Sequence, residues 1–300
     1  NDDVSVDFVA GIPDSGTAHA IGYAHQAHVP YRRPFVKYTP TWPRSFMPQD
    51  QHQRNLVARM KLIPNKQLER EDKQITSLDE ERRMFGVDTL KRTIELAHRL
   101  GSRLVVIHPG RIHGGHSMDN QLRDLYRQGL KGTPAYQALR QDLIADRKDR
   151  SLPHFEALLK SLEEIVIFSQ GSGLFLGLEN RFHYYELPVF NEMETLLHTY
   201  QQPWIGWQLD VGHIQVHHEL GLMDFGQWIN AFSHRIVGVH LHDVKGIVDH
   251  QVPGSGEVDF KWLSQYLPSH AYRTLEINTA VTLKSMSLRL MVRVCGQVST

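Results

Sequence analysis

The sequence predicts an α/β fold whose second part is a parallel barrel, on two observations. From about residue 77 to residue 276, short apolar runs alternate with helix-period stretches, and such alternation argues for a parallel sheet with helical crossovers. Four of the runs, LGLEN, GWQLDVGH, VGVHLHD and TLEIN, carry Glu179, Asp210, His240 and Glu276 at or near their ends, 31, 30 and 36 positions apart. A strand with its crossover helix consumes roughly 30 residues. That rhythm sets one candidate ligand at the C-terminal end of each of four consecutive strands, the end at which parallel barrels carry their chemistry. Two glutamates, one aspartate and one imidazole there would make an oxygen-rich site for a divalent cation.

The elements follow in chain order. Residues 4–12 read as a buried strand, PDSGT as a turn, Ala18 to Ala27 as a helix and RPFVKY as a second strand. The charge-dense stretch NKQLEREDKQ then separates a first segment, 1–66, from a second, 77–300, with 67–76 as the linker. Ser77 and Glu80 form an S-x-x-E capping signal. Met84, Val87, Leu90, Ile94 and Ala97 keep helical spacing, and Gly101 is placed to end that helix. LVVIH follows as a strand ending on His108. Residues 111–150 are polar, with His113, Gly114, Gly115 and His116 near their start, and read as an insertion over the strand ends, where lids sit. A helix is expected from Ser151 through Phe155, Leu158, Leu159, Leu162 and Ile165, closing at Gly171 before LFLGLEN. Leu283, Met286, Leu290 and Val294 in the tail have the spacing of a closing helix.

Composition bounds the function classes. Lys+Arg and Asp+Glu both number 33, so no long-range field favours nucleic acid or an acidic membrane surface. The single cysteine, Cys295, forms no intramolecular disulfide, and no stretch has the ~18 apolar residues of a membrane span or the layout of a signal peptide. A cytoplasmic location is expected. The chain begins at Asn1 and runs almost directly into VDFVAGI, which points to a natural N-terminus upstream.

From about Ile75 to Glu276 the chain resembles the xylose isomerase-like, endonuclease IV-like TIM-barrel superfamily of sugar and sugar-phosphate isomerases and epimerases. The motifs that carry the likeness are VVIHPG (His108), GLENR (Glu179), LDVGH (Asp210, His213), VHLHD (His240), DHQVPGSGEVDF (Asp249, His250) and LEIN (Glu276). The resemblance implies a partial (β/α)8 barrel comprising about its last five strands. It also implies a divalent metal, manganese, cobalt, magnesium or zinc, held by Glu179, Asp210, His240 and Glu276. His213, with His108 and His250, would lie near the substrate or a second metal. In epimerases of this type the metal-bound glutamates also move protons, so Glu179 and Glu276 would be the acid/base pair. The substrate class is a small sugar or sugar phosphate.

The chemistry makes sense of that pairing, because removing a proton next to a carbonyl needs a base and then an acid to return it. Taken singly, Glu179 and Asp210 read equally well as strand-end caps, and His240 as a buried histidine bonded to a carbonyl. Arg181 reads either as a guanidinium for a substrate carboxylate or phosphate or as a salt bridge across strand ends, and Trp204 and Trp207 read as packing. Within the same fold, a zinc endonuclease acting at abasic DNA sites is the alternative. Val248 stands where that reading expects a carboxylate two before His250, and the chain has no basic surplus for phosphates. A half barrel with open strand edges favours self-association.

Residues 4–66 resemble instead an internal piece of the type I phosphoribosyltransferase domain of glutamine phosphoribosylpyrophosphate amidotransferases, through VDFVAGIPDSGTAHAIGYA, FVKYTPTWPRSF and RNLVARMKLIPN. The likeness implies that the turn of Asp14, Ser15 and Gly16 presents N–H groups to pyrophosphate, with Lys37, Tyr38 and Arg44 on a loop above it. The family's strand ending in two aspartates is missing, since the chain passes from IPN to the charged linker. A purine-biosynthetic protein with an incomplete site is therefore a third reading.

Overall fold

The computed structural model describes residue 9 and residues 17–31, 35–37, 62–64 and 75–277. The chain divides into two compact units, Asn1–Asp72 and Lys73–Thr300. In the first, helix α1 (Thr17–Ala27) buries Ala20 and Ala24, and strand β1 (Phe35–Lys37) pairs antiparallel with β2 (Leu62–Pro64). Val9, from the expected first strand, bridges Tyr31. Asp14, Ser15, Gly16, Tyr38 and Arg44 lie outside the described residues, as does the tail expected to close the barrel. Lys37 is described only as the end of β1.

The second unit runs α2 (Glu80–Arg99), β3 (Leu104–Ile107), β4 (Gly110–Arg111), α3 (His116–Arg127), α4 (Pro134–Ser169), β5 (Phe175–Glu179), β6 (Glu186–Leu187), α5 (Phe190–Thr199), β7 (Ile205–Asp210), α6 (Val211–Glu219), α7 (Phe225–Phe232), β8 (Ile236–Leu241), β9 (Asp243–Lys245), β10 (Val248–Gln251), α8 (Phe260–Leu263) and β11 (Tyr272–Leu275). Five strands in the order β11-β8-β7-β5-β3 form one parallel sheet, the arc of a half barrel. Every residue of β7 is buried, as parallel strands covered on both faces require. Trp207 of β7 packs against Trp228 and Phe232 of α7, with ring centroids 5.5 and 6.1 Å away. Among the described residues no helix is long and apolar enough to cross a membrane.

Three local expectations are corrected. Helix α2 buries Val87, Leu90 and Ile94 as its spacing predicts, but its N-cap is Asp79, whose side chain accepts from the Arg82 amide at 3.0 Å. Ser77 instead accepts from the Asp79 amide one step earlier, so the S-x-x-E pattern is offset by two residues. Ile75 and Thr76, assigned to the linker, are buried in the second unit: the Ile75 carbonyl accepts from Ser161 and the Thr76 carbonyl from His154.

The third correction is larger. Residues 111–150 are not an open loop but β4, α3 and the first half of α4, a single 36-residue helix that carries Pro153 inside it. Proline removes a backbone donor and usually ends or kinks a helix, at a cost of about 3 kcal/mol, which is why the sequence reads as a fresh start near Ser151. Contacts on the first half offset that cost. Tyr136 and Leu143 form a second small core with Leu122 and Tyr184. Arg147 grips both oxygens of Glu192 at 2.9 and 2.8 Å and donates to the Tyr184 and Glu186 carbonyls. This tie fastens the helix to the loop between β5 and α5. Removing one partner of so buried a pair strands the other charge. Glu192→Ala should lower unfolding free energy by about 3–5 kcal/mol in urea melts, while Arg147→Met with Glu192→Leu together should recover most of the loss.

Candidate metal and proton-transfer site

Each of the four strand-end residues reaches the mouth of the arc from its own strand. Glu179 and Asp210 are the last residues of β5 and β7, His240 is the penultimate residue of β8, and Glu276 follows β11. The β7/β8 register sets Asp210 beside His240. Glu179 and Glu276 come in from the strands on either side of that pair. The result is a convergence on one nitrogen: His240 Nδ1 lies 3.0 Å from Glu179 Oε1, 3.0 Å from Glu276 Oε2 and 3.5 Å from Asp210 Oδ2.

These contacts lack hydrogen-bond geometry. Both His240 Nδ1 and Asp210 Oδ2 are buried with no hydrogen-bond partner, a state that costs about 1–3 kcal/mol per group. Buried carboxylate oxygens gathered around one imidazole nitrogen suit a divalent cation, and the donor atoms of Glu179, Asp210 and His240 all lie within 4.8 Å of one another. Burial disfavours the charged His240 ring, but Asp210 and Glu276 outweigh it and push its pKa up to about 9. Burial likewise works against the Asp210 charge, yet His213, His242 and His240 hold its carboxyl well below the usual range.

The remaining predicted residues fall into two groups. His108 Nε2 lies 3.0 Å from Glu179 Oε2, on the far side of that carboxylate from His240. Arg181 pairs with Glu179 Oε2 and reaches Glu186 at 3.5 Å, so its guanidinium sits in the strand-end salt bridge and not open to an incoming anion. A second cluster combines His213, Asp249 and His250, whose ligand atoms again lie within 4.8 Å of one another. His213 Nδ1 donates to the Asn180 carbonyl at 3.1 Å, which leaves Nε2 facing Asp249 at 3.8 Å. Burial drives the His213 pKa down to about 4. His250, between Asp249 at 3.1 Å and Glu276 at 3.5 Å, is driven up to about 10. His113 and His116 join neither cluster: the His113 amide bonds His154 Nε2, and His116 Nδ1 faces the Asn120 amide at 2.9 Å.

Sequence reasoning missed several residues that build this site. The carboxylate sought two positions before His250 stands one position before it, at Asp249. A break in the β9/β10 register and a left-handed His250 (φ 55°) turn two adjacent side chains toward the same face. Asn180 is a clamp between strand ends: its side-chain oxygen accepts from the Trp207 indole and the Asp210 amide, and its NH2 donates to the Asp210 carbonyl, all at 2.9 Å. Trp207 is thus core packing with a polar duty as well. Asp243 accepts from the amides of Val244, Gly254, Gly256 and Val258 at 2.8–3.0 Å and so organises the PGSGEV loop. A side chain at 256 would put its Cβ 2.0 Å from the Val244 carbonyl oxygen, so that loop needs glycine there.

The family model described as "Xylose isomerase-like TIM barrel" matches residues 67–280. The chain belongs to the xylose isomerase-like TIM barrel family. Solved structures similar to this family member include an L-ribulose 3-epimerase (17% identity, covering 74% of this chain and 63% of that one, TM-score 0.49). Two others are the 3-keto-D-glucoside 4-epimerase YcjR of E. coli (17%, 70% and 70%, 0.47) and an IOLI protein with a zinc atom (15%, 74% and 70%, 0.49). Among curated proteins, an amidophosphoribosyltransferase of Methanocaldococcus jannaschii is 29% identical over 107 residues, 36% of this chain. The chain spans 22% of the length of that relative.

His217, behind the site, offers a pH test of the packing. It is buried, with Nε2 bonded to the Arg181 carbonyl at 3.0 Å, and burial pushes its pKa from 6.5 to about 3. A histidine kept neutral by folding binds its proton more readily when unfolded, so its contribution is intact above pH 6.5 and is lost as pH falls toward 3. Urea melts across that window should show stability falling less steeply in His217→Leu than in the unmodified chain.

Proposed function

We propose that the second unit is a divalent-metal-dependent sugar or sugar-phosphate isomerase or epimerase that moves a proton next to a carbonyl. The observation that carries this reading is the opposition of Glu179 and Glu276. Their oxygens lie 3.0 Å from the same His240 nitrogen but come from β5 and β11, with β7 and β8 between them. Two carboxylates that flank one point from opposite sides can take a proton from one face of a carbon and deliver one to the other. Glu179, Asp210, His240 and Glu276 would hold the cation, manganese, cobalt, magnesium or zinc. When bound it supplies Lewis-acid polarisation of the substrate carbonyl. His108 and Arg181 hold the second oxygen of Glu179 and fix its orientation. His213, kept neutral by burial, turns Nε2 toward Asp249 and would serve as a hydrogen-bonding group for substrate.

Two measurements test this reading. Purified protein should carry about one divalent ion per chain, and the Glu179→Gln, Asp210→Asn double variant should lose it; equal metal content in both would remove the site. With added Mn2+, solvent deuterium should enter a ketose, an aldose or one of their phosphates. Glu179→Gln and Glu276→Gln should each slow that exchange by about 10²–10⁴-fold. A variant that exchanges at the unmodified rate is not part of the pair.

One observation favours a second reading. The His213, Asp249 and His250 cluster would give a second ion a place beside the first, as a zinc-dependent endonuclease acting at abasic sites would use. Two ions per chain together with cleavage of an abasic-site oligonucleotide, and no sugar exchange, would move the assignment there. For the first unit, the partial likeness to an amidophosphoribosyltransferase supports a phosphoribosyltransferase-like segment with Lys37 in its β1 strand. Without the diaspartate strand we expect no phosphoribosylamine formation from ammonia and phosphoribosyl pyrophosphate above a Lys37→Ala control.

A further inference from the structure

We infer that His242 is a positioning residue that decides which oxygen of Asp210 faces the metal point, and that Gly212 is small so that His242 can do so. The inference rests on the reading of the site as a divalent-metal centre, but it concerns groups that reading does not use.

His242 is wholly buried one residue beyond β8. Its Nδ1 accepts the His250 amide at 2.8 Å. A backbone N–H can only donate, so Nδ1 carries the lone pair and the ring proton is on Nε2. That Nε2–H donates to Asp210 Oδ1 at 2.9 Å, and the His213 amide donates to the same oxygen at 2.8 Å. Oδ1 is thereby saturated by two donors, while Oδ2 has no partner and lies 3.5 Å from His240 Nδ1. The division of labour between the two oxygens is enforced from behind. Without the His242 donor, one amide alone would hold a carboxylate free to turn about its last torsion.

The pose of His242 is itself fixed on three sides. Its ring stacks on His250 with centroids 4.3 Å apart and planes 12° off parallel. The amide that sets its tautomer comes from a residue with φ 55°, a backbone state that non-glycine residues adopt only at some cost. A Cβ at position 212 would stand 2.1 Å from the ring Cε1. Gly212 is the second residue of helix α6, two positions after the N-cap Asp210, so the same turn that supplies the His213 amide also makes room for the imidazole. Partners of this kind, which orient a ligand from outside, typically change metal affinity about 10–100-fold when removed.

The test compares Mn2+ affinity, by titration calorimetry on the full chain, with the melting temperature in excess chelator. His242→Leu, which keeps the volume and loses the donor, should bind Mn2+ about 10–100-fold more weakly. His242→Gln, whose amide N–H sits where Nε2–H was, should bind close to the unmodified chain. Gly212→Ala should weaken binding as His242→Leu does, because it displaces the same ring. A folded His242→Leu protein with unchanged Mn2+ affinity overturns the inference and leaves the metal reading standing. If His242→Leu does not fold, His242→Asn replaces it, since its amide reaches only the Nδ1 position. Equal affinity of the Asn and Gln variants then overturns the inference, and weak binding confined to Asn supports it. An unmodified chain that binds no Mn2+, or binds it equally well as Glu179→Gln, overturns both readings together.

Discussion

Three carboxylates crowded around one imidazole nitrogen, in a pocket largely closed to water, are the constraint to which the rest of the second unit answers. At low dielectric such a group is unstable by itself, because like charges repel and neither His240 Nδ1 nor Asp210 Oδ2 finds a hydrogen bond. The surrounding structure supplies what it can. Arg181 and His108 sit on the outer oxygen of Glu179, His242 and the His213 amide on the outer oxygen of Asp210, and His250 on the outer oxygen of Glu276. Each acid thus has one oxygen neutralised from outside and one turned inward. The inward atoms of Glu179 and Asp210 lie together with the His240 nitrogen, within 4.8 Å of one another, so a positive charge placed there would be met by oxygens already oriented from outside.

The strand ends hold this geometry because backbone and side chain are locked together. Asn180 spans β5 and β7, Asp243 gathers four amides of the loop after β10, and the β7/β8 register pairs Asp210 with His240. None of these groups needs to touch a substrate. They limit the shifts of roughly an ångström that would separate side-chain atoms arriving from four different strands.

Legibility in the sequence followed regularity. Glu179, Asp210, His240 and Glu276 stand at strand ends that recur with the length of a strand-helix unit, so the sequence alone places them on one rim. Helix α2 was legible in its buried face but offset at its cap, since Asp79 and Ser77 are both good capping residues and only the tertiary packing of Thr76 selects between them. Asp249 was legible as part of a motif but not as a partner of His250 and His213, because the register breaks in β10, where alternation fails and adjacent residues share a face. His242 was hidden by the opposite effect. It alternates correctly with His240, and nothing local says that a histidine two positions on would turn back toward Asp210. Helix α4 was obscured because Pro153 is a strong local signal, overruled by Arg147 and Glu192, which are 45 residues apart in sequence.

Helix α4 also has a mechanical side. At about 1.5 Å per residue, 36 residues make a rod on the order of 54 Å long, well beyond the span of a barrel strand. Its second half, through Leu158, Leu162 and Ile165, belongs to the main core that packs the sheet, while its first half, through Tyr136 and Leu143, belongs to the second small core. The two cores are therefore strung on one lever, jointed where Pro153 omits a backbone hydrogen bond. Any shift of one core against the other must flex this rod at that joint, so the stiffness of a single helical turn, rather than the slackness of a loop, sets how far and how readily the two move.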